Sequence, residues 1–241
     1  MGWFDVPRID EPEEIDDPTQ PFDEIATSMG DVARSNRWFG GTHAIVSQAA
    51  RLLRDVPSRT EIRVLDIATG SGDIPHALIA WGRRRGLRIT AVGVDNMPAM
   101  LRLAQASAPD VRLVQADALH LPFPPRSFDI AICALAFHHL GFDASARLLR
   151  SMDALTTRGF IVTDLRRDKL SLIGVDAALA IMRSHPFTRH DGPASVRRAF
   201  TPREYCKMVA VSGVHGVRVS SHLYYRMALV QNKSEGRRRW V

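Results

Sequence analysis

The sequence predicts an α/β fold, a mostly parallel sheet with helices on both faces, and two observations lead there. Between residues 62 and 165, short runs rich in branched apolar residues recur with helix-length segments between them, and the runs show no alternation of polarity, as strands covered on both faces should. Near the end of the chain two further strand candidates, about 216–221 and 223–230, are almost contiguous, so a tight antiparallel hairpin should close the sheet.

Taken in order, residues 1–21, "MGWFDVPRIDEPEEIDDPTQP", are rich in proline and acid and have no sustained apolar period, which predicts an extended or mobile arm whose acids face a basic body. A helical cap follows over residues 22–60: the pattern is helical from Phe22 to Leu53, broken at "RSNRWFGG", where Gly40 and Gly41 permit a turn before a second helix from Thr42 to Arg54. The main domain spans residues 61–230. Strand "IRVLDIA" (62–68) leads to a helix from near Asp73, with Pro75 tolerated in its first turn, and "ITAVGVD" (89–95) to a helix from Pro98 to Ala106. Then come "VRLVQAD" (111–117), the turn-forming "LPFPPRS", "FDIAICAL" (128–135), a helix from Ala144 to Leu155, and "GFIVTDL" (159–165). An insert over about 168–201 changes the rhythm, with a helix at 170–183 and an irregular stretch at 184–200. Thr201 and Glu204 form a capping box for a helix from Pro202 to about Ser212, and residues 231–241 read as a basic tail.

Charge is distributed unevenly. Residues 1–35 carry ten acids and two bases, leaving 30 bases and 16 acids for the rest, which ends in "GRRRW". A basic body raises the question of nucleic acid, but no cluster is interleaved with the aromatics of a single-strand platform, so nucleic acid is not the expected partner. The two cysteines, Cys133 and Cys206, are far apart with no second pair at ligand spacing; neither a disulfide framework nor a metal site is expected. With no basic and apolar leader and no apolar run near 20 residues, a cytoplasmic protein without a membrane span is expected. Oligomeric state has no signature in the sequence.

The chemistry gathers at the strand ends. In "VLDIATGSGD" (64–73), Gly70 and Gly72 follow the first strand, where a side chain would block a ligand lying on the backbone. Asp95 ends the second strand, positioned to accept the hydroxyls of a ribose, and Asp117 ends the third, positioned to accept from the exocyclic amine of adenine. Phosphate is a poor guest: no lysine follows the glycines, and Asp66 and Asp73 repel a pyrophosphate while tolerating an ammonium and a sulfonium. S-adenosylmethionine has that chemistry.

Over residues 61–165 the chain resembles the class I S-adenosylmethionine-dependent methyltransferases. "VLDIATGSGD" with "GVD" and "ADALHLPFPPRSFD" is similar to the ubiquinone and menaquinone methyltransferase-like small-molecule branch. The resemblance implies a Rossmann-like sheet of seven strands with an antiparallel C-terminal strand. It also implies that Asp66, Ala68, Thr69 and Gly70 lie along the methionine portion of the cofactor. Asp95 would take the ribose, Asn96 and Met97 would lie beside the adenine, Asp117 and Ala118 at its edge, and Ala134 would offer backbone at the end of strand four. Ala68 departs from the glycine usual there. An N-terminal helix closing over the cofactor would bring "NRW" close, with Arg37 reaching the cofactor's carboxylate or making a surface salt bridge.

For transfer, His138 and His139 follow strand four and Asp164 ends strand five. If those strands are neighbours, an imidazole held by a carboxylate meets the cleft and can take a proton from an acceptor; the alternative is a helix cap and a core histidine. His185, His190 and Asp191 lie in the insert as a further base or a turn, and Phe137, Phe142, Met182, Phe187 and Phe200 line an acceptor pocket or fill the core. The resulting expectation is methyl transfer to a small molecule, at the oxygen of a phenolic, quinone-like or polyketide-derived acceptor, with carbon methylation of a quinol precursor and RNA methylation as alternatives.

Overall fold

The computed structural model describes residues 6–222 and 226–233. Among them, seven strands form one sheet in the order β3-β2-β1-β4-β5-β7-β6. Strands β1 (Glu61–Ile67), β2 (Arg88–Asp95), β3 (Val111–Gln115), β4 (Phe128–Ala134) and β5 (Thr156–Leu165) pair in parallel. β7 (Arg226–Gln231) runs antiparallel between β5 and β6 (Val217–His222), as expected of the closing hairpin; residues 223–225, which join the two, lie outside the described residues.

The absence of polarity alternation has a direct cause. In β4, Ile130 and Ile132 enter one apolar layer and Ala131 and Cys133 the other, and all four are completely buried. One layer packs against α2 (Gly41–Leu52) and α3 (Asp73–Arg84) around Ile45 and Leu78; the other against α6 (Phe142–Leu155) and α9 (Pro202–Ser212) around Leu149, Phe160 and Tyr205. Each such isoleucine or leucine contributes roughly 1.5–3 kcal/mol by leaving water. The remaining helices are α1 (Phe22–Trp38), α4 (Pro98–Ser107), the single turn α5 (Phe137–Leu140), α7 (Lys169–Ile181) and α8 (Pro186–Arg198). No described helix is long and apolar enough to cross a membrane.

Three sequence expectations need correction. β3 stops at Gln115, so Ala116 and Asp117 belong to the turn beyond it, and β5 starts at Thr156 instead of Gly159. The stretch expected to be irregular, 184–200, is largely α8, and "TRHDG" lies inside that helix. Its breakers occupy tolerated places: Pro186 opens the helix, and a Cβ on Gly192 would stand 2.5 Å from Leu179 Cδ1, so glycine there lets α7 and α8 approach closely. Pro193, interior like Gly192, forfeits one backbone hydrogen bond. The capping box at Thr201 is present, with both Thr201 and Glu204 bonding as expected.

The acidic segment expected as an arm folds across α8 from residue 6 onward. Asp191 accepts from the backbone N–H groups of Glu14 (2.8 Å) and Ile15 (3.1 Å) in a 3₁₀ turn at Glu14–Asp16. Arg198 pairs with Asp10 (3.2 Å), Glu13 (3.4 Å) and Asp16 (3.0 Å), Arg167 donates to the carbonyl of Val6, and Val6 and Glu13 are buried. The basic run "GRRRW" lies outside the described residues.

Candidate functional site

Strand order reverses between β1 and β4, and a cavity of about 560 Å³ opens at the carboxyl ends of the strands there. It is lined by Asp66, Ala68, Thr69, Gly70, Asp95, Asn96, Met97, Asp117, Ala118 and Ala134, which the sequence singled out, and by His138 and His139.

The turn after β1 is shaped by backbone conformation. Ala68 has φ of 56° and Gly70 of 53°, both in the left-handed region; Ala68 stands where a glycine is usual and holds this conformation at a cost of roughly 1–2 kcal/mol. A Cβ on Gly70 would stand 2.7 Å from Met29 Cε, so α1 closes directly over the bare backbone. Gly72 was expected to give way to a ligand, but a Cβ there would meet Ala108 Cβ at 2.8 Å. Its φ of 74° and its contact with the chain after α4 make it a packing and helix-entry residue.

Three carboxylates converge beside this turn. Asp66 accepts from Thr69 Oγ1 at 2.7 Å, and burial, with smaller contributions from Asp73 and Asp95, pushes its carboxyl from 3.8 up to about 7 despite that bond. Asp95 accepts from the N–H groups of Gly70 (3.0 Å) and Met97 (3.1 Å), and burial raises it as well. Asp73 is raised by burial and receives Asn36 Nδ2 at 3.3 Å. Asp117 differs: it is exposed, and its oxygens already accept from Leu119 N–H (2.9 Å) and pair with His120 (2.8 Å), hydrogen bonds that lower its pKa.

β4 and β5 are neighbours, and this brings the second group together. Asp164 is completely buried, with one oxygen 2.7 Å from His138 Nδ1 and the other accepting the His138 backbone N–H at 3.0 Å. Burial pushes this carboxyl up, but His138 and the hydrogen bonds outweigh it, and it titrates below its ordinary value. The carboxylate thereby fixes the ring and leaves His138 Nε2 facing Glu13, whose Oε1 is 3.6 Å away. His139 pairs through Nδ1 with Asp16 at 3.0 Å and points Nε2 to Glu13 Oε2 at 3.8 Å. Glu13 is raised from 4.5 to about 7, mainly by burial. Glu13 and the two imidazoles hold their ligand atoms within 4.8 Å of one another, a donor set of the kind that suits a divalent cation, and Arg198 already supplies positive charge there.

Other candidates fall elsewhere. Arg37 and Trp38 are exposed and do not line the cavity; Asn36 does. His185 pairs with Glu24 at 3.0 Å and His190 with Asp191 at 3.0 Å, both outside the cavity wall, while Asp191 lines it and anchors the N-terminal segment. None of Phe137, Phe142, Met182, Phe187 and Phe200 lines the cavity, and Phe137 and Phe200 are core; Met29, Val32, Met100, Leu140 and Leu179 supply the apolar wall instead. Sequence reasoning passed over Glu13, Asp16, Arg198 and the buried Arg226. For the first three, the charge asymmetry between the chain's first 35 residues and its remainder was the available signal.

Residues 64–159 match the family model of a methyltransferase domain. The chain is 38% identical over 104 residues to a demethylmenaquinone methyltransferase of Deinococcus radiodurans, covering 42% of this chain and 41% of that protein. It is 32% identical over 158 residues to a ubiquinone/menaquinone biosynthesis C-methyltransferase of Ectopseudomonas mendocina, covering 63% of this chain and 57% of that one. The chain thus spans about two fifths to three fifths of the length of these curated relatives. Among solved structures, the plantazolicin methyltransferase BpumL, in complex with a monoazolic desmethyl analogue and SAH, superposes with a TM-score of 0.66 at 10% identity, covering 88% of this chain and 90% of that one. The shared architecture is the Rossmann-like methyltransferase fold, and residues 64–159 are the stretch that is similar to a methyltransferase domain.

Proposed function

We propose that this methyltransferase domain takes S-adenosylmethionine as methyl donor and methylates a small molecule, at the oxygen of a phenolic, quinone-like or polyketide-derived acceptor. The observation that carries the reading is one cavity holding two groups: a side-chain-free turn flanked by buried Asp66 and Asp95 and half-buried Asp73, and the His138–Asp164 pair. The cavity fits such a donor in its chemistry. Gly70 leaves backbone bare beneath Met29, and the buried carboxylates lack cations within ion-pair distance among the described residues, so a ligand bearing positive charge relieves them.

The donor supplies a methyl group on a positively charged sulfur, a good leaving group. Everything else falls to the chain. Asp95 holds the ribose diol, Asn96, Met97, Asp117 and Ala118 bound the base, and Asp66, Ala68, Thr69 and Gly70, with Ala134 at the end of β4, run along the amino-acid end. Helix α1 and the N-terminal segment exclude water through Met29, Ile15 and Val32. His138 Nε2 takes the acceptor's proton, and Asp164, locked on Nδ1, holds the tautomer and stabilises the resulting imidazolium. His139, nearer solvent and paired with Asp16, is placed to pass that charge outward.

Carbon methylation is the second reading, because curated relatives are named as C-methyltransferases. Incubation with methyl-labelled S-adenosylmethionine and a fractionated metabolite extract, then fragmentation of the labelled product, tests both. Label on oxygen supports the first reading, label on carbon the second, and tight donor binding with no labelled product rejects transfer.

A further inference from the structure

Arg226 opens β7 beside Leu165, the last residue of β5, which places it at the carboxyl edge of the sheet. It is only 6% exposed and lines the cavity. Among the described residues its guanidinium makes no hydrogen bond and no ion pair, an unusual state for a cation removed from water. Burial lowers its pKa, and the carboxylates of Asp164 and Asp73 offset part of that cost from beyond ion-pair distance. Space has been kept for the group: a Cβ on Gly41, at the start of α2, would stand 3.0 Å from Arg226 Nη1 and 2.8 Å from Asn36 Oδ1. The fork of donors therefore sits under the α1–α2 turn, close to the entry of α3 where Asp73 and Asn36 are bonded, with its open side on the cavity.

A buried guanidinium facing a cavity with its donors unused is complementary to a planar anion, and a carboxylate matches its geometry. With Asp73 nearby, this corner presents a cation and an anion together, the pattern that recognises the two charged ends of an α-amino acid. Resting on the donor assignment above, we infer that Arg226 is the receptor for the carboxylate of the donor's amino-acid end. Of the two alternatives open for Arg37, this takes over the carboxylate contact, because Arg37 is exposed and does not line the cavity.

The test compares two ligands by calorimetry, S-adenosylmethionine and its decarboxylated form, which keeps the ammonium and the sulfonium and lacks only the carboxylate. Wild-type protein should prefer the carboxylated ligand. Arg226→Met should weaken that ligand by about 10- to 100-fold and leave the decarboxylated one within a few-fold, erasing the preference. Arg226→Lys, which keeps the charge without the fork, should give an intermediate preference and serves where the methionine variant does not fold. Equal weakening of both ligands makes Arg226 a structural residue and overturns the inference. A preference unchanged in the variants also overturns it and assigns any carboxylate at Arg226 to the acceptor. Failure of the wild-type protein to bind either ligand is a separate outcome, which rejects the donor assignment itself and the inference with it.

Discussion

Replacing Asp95 with alanine tests the donor site at its most constrained point. Its Oδ2 accepts the Gly70 N–H at 3.0 Å and its Oδ1 the Met97 N–H at 3.1 Å, so each oxygen retains a further acceptor position for the cavity the residue lines. Two ribose hydroxyls bound there form hydrogen bonds to a charged acceptor, worth about 1.5–3 kcal/mol each. Their joint loss, about 3–6 kcal/mol, corresponds to binding weaker by about 10²- to 10⁴-fold. The same substitution strips both N–H groups of their partner, at about 1–3 kcal/mol each if they stay buried, so urea unfolding must accompany the titration to show that the variant is folded. Asp95→Asn keeps one acceptor oxygen and should fall between alanine and wild type. Calorimetric titration with S-adenosylhomocysteine reads the outcome. An affinity for Asp95→Ala within threefold of wild type, on folded protein, would refute the ribose assignment.

Other consequences follow from the same geometry. His138→Ala and His139→Ala, tested singly with labelled donor and extract, should reduce transfer while leaving donor affinity unchanged, with the larger loss at His138 because only it is held by Asp164; full transfer by both removes the base role. Glu13 is raised from 4.5 to about 7, so between those values the folded chain keeps a proton that the unfolded chain has released, and stability falls as pH rises through that window. Glu13→Gln should flatten this fall and be more stable than wild type at pH 8 by up to about 3 kcal/mol, a margin that closes toward pH 4.5 in urea titrations; an equal margin at both ends contradicts the buried-carboxyl account. Gly159 has φ of 134°, and a Cβ there would lie 2.1 Å from the Gln231 carbonyl oxygen, so Gly159→Ala must distort the β5–β7 ladder and should cost about 3 kcal/mol or more in thermal or urea unfolding.

The strand ends were legible because their signals are local. A run such as "VLDIATGSGD" states in ten residues that an apolar strand ends in an acid and a bend, and Asp66, Thr69, Gly70 and Asp95 reach the cavity by virtue of the strands that carry them. The pairing of His138 with Asp164 was conditional on β4 lying beside β5, as it does. Local punctuation misled at 184–200, where proline and glycine that read as breakers sit at a helix start and at a helix–helix contact. Gly72 shows the same limit: the residue type was read correctly, but its partner was Ala108.

By itself the sequence determined the succession of strands along the chain, the anionic flank of the first turn, and the acids near the ends of β1 and β2. Only the tertiary structure decided what closes the cavity. Glu13 meets Arg198 across 185 residues of chain, and Arg226 comes to the cavity only because β7 inserts beside β5. Periodicity and capping act over a few residues and leave their pattern in neighbouring letters. Contacts across such separations are selected by packing and charge neutralisation in the folded chain, and no short stretch of sequence contains both partners.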